Sequence, residues 1–132
     1  MIGKKIPISE YHDSRGVLTA INELPFEAKR VFFIYDVPKE EKRGDHFSKT
    51  SKFLYIVIKG CCKVLLEDGF HTELYDLKPG EALLFTKNTW MKIDDFIEGT
   101  VLCVLSDNEY KSSDYSSDYE EFKRIVRGNE NV

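Results

Sequence analysis

Apolar residues along this chain fall into short runs, β-branched and aromatic in character, that recur about every ten residues between turn signals. Positions 16–22 form the first run. Positions 31–35 form a second, and Pro38 closes it because proline has no amide hydrogen to give to a ladder. Positions 53–58 are apolar without a break, the pattern of a strand buried on both faces. Gly60 interrupts that run and positions 61–66 resume it. Asp68-Gly69 is a hairpin turn signal, after which positions 71–77 alternate and return antiparallel. Pro79-Gly80 turns the chain again, since proline presets φ and glycine tolerates a positive one. Positions 82–86, 90–93 and 100–105 complete the strand set, and the charged segment 39–45 reads as a loop.

The end of the chain changes character. Residues 106–118 are polar, with Asp, Ser and Tyr interleaved. Ser117 and Glu120 then stand in capping-box spacing, and Tyr119, Phe122, Ile125 and Val126 recur at helical spacing. One short terminal helix is expected, ending near Gly128. No helical pattern separates the strands, which excludes an α/β fold. The pattern predicts a single all-β domain over 1–132, a closed sandwich or barrel whose closure removes exposed strand edges.

Composition narrows the class. Charged residues make up 32% of the chain, too many for a membrane protein, and aromatics make up 13%, enough to bury a core. The longest apolar run falls far short of the ~18 residues needed to cross a bilayer. Residues 1–10 lack the apolar core of a secretion signal, so a cytoplasmic location is expected. The net charge is −4, which argues against a nucleic-acid or membrane-surface binder and leaves room for a local cation cluster around a small phosphorylated ligand. Cys61, Cys62 and Cys103 are an odd set. Adjacent Cys61 and Cys62 point to opposite faces of a strand, so the three read as reduced packing residues.

The segment Arg43-Gly-Asp-His-Phe-Ser-Lys49 holds the densest chemistry. His46 is a natural base, because an imidazole accepts and returns a proton near neutral pH. Arg43, Lys49, Lys52 and Lys42 could bind phosphate or steady an enolate oxygen. The plainer alternative is a histidine that starts a strand beside a solvated cationic face. Tyr35 ends an apolar run, where its phenol could face a cavity and donate to a substrate oxygen. Trp90, the only tryptophan, either stacks on a base or sugar or fills the core. His12 and His71 read as surface or strand-packing residues, and Asp94-Asp95 as a solvated turn. There is no phosphate-binding glycine loop and no serine-nucleophile motif.

Six segments carry a family resemblance in chain order: Asp13-Ser-Arg-Gly-Val-Leu18, the segment from Pro25 to Tyr35, Arg43-Gly-Asp-His46, the hairpin from Lys59 to Gly69, Val101-Leu-Cys-Val-Leu-Ser-Asp107, and Ser113-Asp-Tyr115 on to Phe122. Together they resemble the WxcM-like sugar-nucleotide 3,4-ketoisomerases of the cupin superfamily, over nearly the whole chain. The resemblance implies a cupin (RmlC-like) jelly-roll barrel. It also implies a dTDP-linked 4-keto-6-deoxyhexose as substrate, with proton transfer between C3 and C4, in deoxyamino-sugar biosynthesis for surface polysaccharide such as lipopolysaccharide. The 4-keto group acidifies the C3 proton, a base removes it, an enediol forms, and a proton returns at C4.

The resemblance assigns His46, Tyr35 and Ser48 to catalysis and Arg43, Lys49, Arg30, Trp90 and Arg15 to substrate binding, with no cofactor. It implies a homodimer that exchanges N-terminal strands. The chain departs from the pattern in two places. The family reads Arg-Gly-x-His-x-His-Lys where this chain has Ser48 at the second His, and Trp-His where this chain has Trp90-Met91. Against the metal-binding cupin pattern only His46 remains of four ligands, and one imidazole does not hold a divalent ion, so a metal-free site is expected. A serine cannot hold the charge that an imidazole can. The expectations are therefore a weak isomerase in which Lys49 or Tyr35 stands in for the missing imidazole, an enzyme with altered regiochemistry that needs only one base, or a nucleotide-sugar binding protein that has lost catalysis.

Overall fold

The computed structural model describes residues 1–128. Twelve strands, a short 3-10 turn (Ser112–Asp114) before the last of them, and one α-helix follow in order among the described residues. The first four are β1 (Lys4–Pro7), β2 (Ser9–Asp13), β3 (Gly16–Ala20) and β4 (Arg30–Tyr35). Then come β5 (Arg43–Ser48), β6 (Phe53–Lys59), β7 (Cys62–Glu67) and β8 (Thr72–Leu77). The last are β9 (Glu81–Phe85), β10 (Trp90–Asp94), β11 (Val101–Ser106) and the two-residue β12 (Tyr115–Ser116), followed by α1 (Tyr119–Arg127). The strands form two five-stranded antiparallel sheets, ordered β1-β9-β6-β11-β4 and β12-β5-β10-β7-β8, with β2 and β3 as a separate hairpin. This is the all-β sandwich expected, with its short C-terminal helix.

The unbroken apolar run becomes β6, at the centre of the first sheet, and Phe53 to Val57 are all buried. Phe53, Tyr55 and Val57 point between the sheets, into a core shared with Val64, Leu66, Leu83, Ile93 and Leu102. Leu54 and Ile56 point the other way, under Ile8, Ile21 and Phe26 of the N-terminal segment. A strand covered on both faces is why period two vanishes from its sequence.

The segment 43–48, half of it read as loop, is a full strand. It is also bulged. Across to β10, Met91 pairs with His46 but Lys92 pairs with Gly44, so Asp45 is an extra, unpaired residue. Gly44 and Asp45 carry φ of +81° and +65°, the turned backbone that such an insertion needs. The helix cap also moves. Asp118, not Ser117, accepts the Glu120 and Glu121 amides at 3.0 and 3.2 Å. On the outer side of β5 and β10, Phe122 closes a buried cluster with Phe47 and Trp90.

Candidate active site

Between the two sheets lies a cavity of about 340 Å3. Its apolar lining comes from inward residues of the core strands, among them Phe53, Tyr55, Phe85, Met91 and Ile93. Its polar lining is Arg30 from β4, Arg43, His46 and Ser48 from β5, Thr89, and Tyr110 and Tyr115 from the segment before the helix. A mostly apolar hollow with a few convergent polar groups is the usual form of a small-molecule site.

The bulge is what assembles the β5 contribution. Arg43 and His46 are three apart, so a regular pleat would send them to opposite faces. One inserted residue returns both to the cavity. Asp45, the insertion, is held from outside: Trp90 Nε1 donates to its Oδ1 at 3.1 Å, and Lys42 Nζ to its Oδ2 at 2.8 Å. The Lys42 hydrogen bond is the largest influence on this carboxyl, and with the indole it outweighs burial and keeps the carboxyl below its ordinary range.

His46 is half-buried, and its ring meets the Tyr115 ring edge-on, centroids 5.2 Å apart. Burial lowers the imidazole below its ordinary 6.5, and the neighbouring Asp45 carboxylate only partly offsets this. The ring is therefore neutral at pH 7 and able to accept a proton.

Ser48 reaches the same wall, but its hydrogen is committed. It donates to Asp114 Oδ2 at 2.6 Å and accepts the Ser51 amide at 3.0 Å. Asp114 also takes the Ser51 hydroxyl at 2.9 Å and the Thr50 hydroxyl at 2.5 Å. Burial pushes that carboxyl up, yet the three hydroxyls together hold it below its usual range. Ser48 thus ties β5 to the C-terminal segment and has no spare proton to offer.

Four expected site residues lie elsewhere. Tyr35 does not face the cavity. β4 alternates, so Arg30, Phe32 and Ile34 point inward while Val31, Phe33 and Tyr35 point out, and Tyr35 is 61% exposed. Trp90 does not contact the cavity either. It is buried beneath the helix, and its indole serves the bulge. Lys49 lines a separate surface groove with Lys29, Asn108 and Lys111, and sits 3.7 Å from Glu121. Arg15 lies on the β2–β3 hairpin, exposed and paired with Asp13 at 2.6 Å. Arg43 stands at the mouth, exposed and with no carboxylate partner among the described residues.

Two residues escaped the sequence reading. Tyr115 and Tyr110 lie in a polar tail without periodicity, and β12 is too short to announce itself. The one available signal is chemical: the hydroxyl-rich run Ser48, Thr50, Ser51 needs an acceptor, and Asp114-Tyr115 supplies it. Among the described residues, no three His, Cys, Asp or Glu side chains gather as metal ligands would.

The comparisons with known proteins agree with one another. Residues 3–127 match the family described as FdtA, WxcM-like, C-terminal. The TDP-4-oxo-6-deoxy-alpha-D-glucose-3,4-oxoisomerase of Aneurinibacillus thermoaerophilus is 35% identical over 130 residues, covering 96% of this chain and 94% of the relative. A 3,4-ketoisomerase from Helicobacter canadensis superposes with a TM-score of 0.90 at 34% identity, covering 96% of this chain and 98% of that one. A sugar 3,4-ketoisomerase from Thermoanaerobacterium thermosaccharolyticum, solved in complex with TDP, superposes with a TM-score of 0.91 at 29% identity, covering 97% and 96%.

Proposed function

This chain belongs to the FdtA, WxcM-like family, and from that premise we propose that it is a sugar-nucleotide 3,4-ketoisomerase acting on a dTDP-linked 4-keto-6-deoxyhexose. The observation that carries the reading is the placement of His46, half-buried in the polar wall of the intersheet cavity with its ring against Tyr115. A base there takes the proton from C3, which the adjacent carbonyl acidifies. The enediol that results is reprotonated at C4, leaving the carbonyl at C3. The apolar lining excludes water and strengthens each polar contact to the developing charge. Arg43 at the mouth suits the pyrophosphate, since a guanidinium binds phosphate oxygens in pairs. A TDP complex of a family member supports that choice of ligand. A C3 carbonyl is the electrophile that amino transfer needs, which suits a step of deoxyamino-sugar biosynthesis.

The assembly we propose is a homodimer exchanging N-terminal strands. β4 ends its sheet, and its outward Val31, Phe33 and Tyr35 are exposed. The β2–β3 hairpin pairs only within itself and exposes Tyr11, Val17 and Leu18. A hairpin laid on a second copy's β4 would cover both and carry Arg15 toward that copy's mouth. Sedimentation of the full chain tests this, and a monomer at micromolar concentration would refute it. Among the described residues no helix is long and apolar enough to cross a membrane, which fits a cytoplasmic setting alongside nucleotide-sugar substrates.

The catalytic test is His46→Ala with the keto-sugar in deuterated water, followed by NMR. Turnover should fall by about 10²–10⁴ while TDP binding by calorimetry stays within a few-fold. Wild-type protein that puts no deuterium at C3 or C4 and forms no 3-keto product would defeat the isomerase reading. TDP binding in that case would leave a nucleotide-sugar binding protein.

A further inference from the structure

Moving a carbonyl from C4 to C3 requires two proton exchanges, one between carbons and one between oxygens. His46 can serve the carbons. Something must protonate O4 as the enediol forms and take the proton from O3 as it collapses. Ser48 cannot, because its hydrogen belongs to Asp114.

We propose that Tyr115, backed by Arg30, is the acid–base group for the sugar oxygens; this rests on the isomerase reading above. β12 pairs antiparallel with β5 so that Tyr115 stands directly opposite Ser48, on the face that lines the cavity. Its ring abuts His46. Arg30 Nη1 donates to the Tyr115 phenol oxygen at 2.8 Å, and the guanidinium is itself held over the Phe32 and Tyr110 rings at 4.2 and 4.8 Å. Because the guanidinium donates, the phenol's own hydrogen is free to be given elsewhere, and the phenolate left behind keeps a charge-assisted hydrogen bond.

The electron balance closes. His46 takes the proton from C3, the C–H pair becomes the C3–C4 double bond, and the C4 carbonyl pair moves to O4, which takes the Tyr115 proton. The phenolate then takes the proton from O3. The O3 pair forms the C3 carbonyl, and the C3–C4 pair takes the proton back from His46 at C4. Both residues finish as they began, so no further reactant is needed.

Tyr55 is a fully buried phenol in the same cavity, and its chemistry is less suited. Burial pushes its ionisation upward with no cation to offset it. Burial also raises Tyr115, but there Arg30 works against it. The charged and titratable groups around Tyr115 are Arg30 from β4, His46 from β5, Tyr55 from β6, and Asp114 and Tyr110 from its own segment.

The test compares wild-type, Tyr115→Phe, and protein carrying a ring-fluorinated tyrosine at 115, with kcat measured against pH. Tyr115→Phe should lose about 10²-fold or more in kcat, with TDP affinity changed only a few-fold. The fluorinated phenol is more acidic, so the alkaline limb of kcat should move to lower pH. Arg30→Lys should restore part of what Arg30→Met loses. If Tyr115→Phe turns over at the wild-type rate, or the fluorinated protein leaves the alkaline limb in place, the assignment of Tyr115 is overturned while the isomerase reading stands. Should Tyr115→Phe also lose TDP binding, the fluorinated protein alone decides. Wild-type protein without turnover overturns both.

Discussion

The two faces of the β5–β10 pair are built from neighbouring residues and share almost nothing. Outward, Phe47 and Trp90 stack with centroids 6.2 Å apart and Phe122 seals them, all three buried. Inward, one residue along each strand, His46 and Met91 face a hollow lined with hydroxyls and guanidinium groups. A period of two places a packed plug and a reaction chamber back to back. The plug gains by filling its space, and the chamber works by leaving space that a ligand completes. One link between them is the Trp90 indole, which holds Asp45 and through it the bulge behind His46.

The strongest blow to this division is Phe122→Ala. It should cost about 3–5 kcal/mol in chemical denaturation, because the site behind it is fully packed. The folded fraction should still turn over at the wild-type rate per molecule. An active-site loss at full stability would erase the distinction between the faces. Gly44→Ala acts on the joint instead. A methyl group there meets the Met91 sulfur, and the φ of +81° strains any L side chain. We expect about 1–3 kcal/mol of destabilisation and, from a displaced His46, about 10²-fold in kcat. Loss of stability alone would show that the bulge does not aim the ring. The mildest change is Asp45→Asn, whose carbonyl can still accept from the indole. A histidine base is active when neutral, so activity falls as pH drops through its pKa, and in the wild-type that limb should lie below 6.5. Removing the carboxylate removes the influence that raises this pKa, so the limb should move lower still in kcat/KM. A limb that stays put would mean another group controls it.

How much of this was legible in the chain depends on the period of each segment. The strands from 53 to 105 announce themselves through apolar runs and Asp-Gly or Pro-Gly turns, and their observed bounds differ from expectation by a residue or two. The N-terminal β1 and β2 do not, because their side chains are largely exposed and carry no alternation. His46, Arg43 and Arg30 were visible as residue types. The face on which each lies was not. Tyr35 illustrates the difficulty, since its place at the end of an apolar run says nothing about parity, and parity turns it outward. Ser48 illustrates another: its partner Asp114 is 66 residues away, and only the folded chain brings the carboxylate to the hydroxyl.

The extra residue in β5 has an implication for chain length. Deleting Asp45 would let the strand zip regularly against β10 with every other amino acid unchanged, and Arg43 would swing from the pocket mouth to the opposite side of the sheet. Shortening by one is then a harsher edit than most replacements nearby. The count of links between the guanidinium and the imidazole is itself a catalytic parameter, as fixed as the identity of either group.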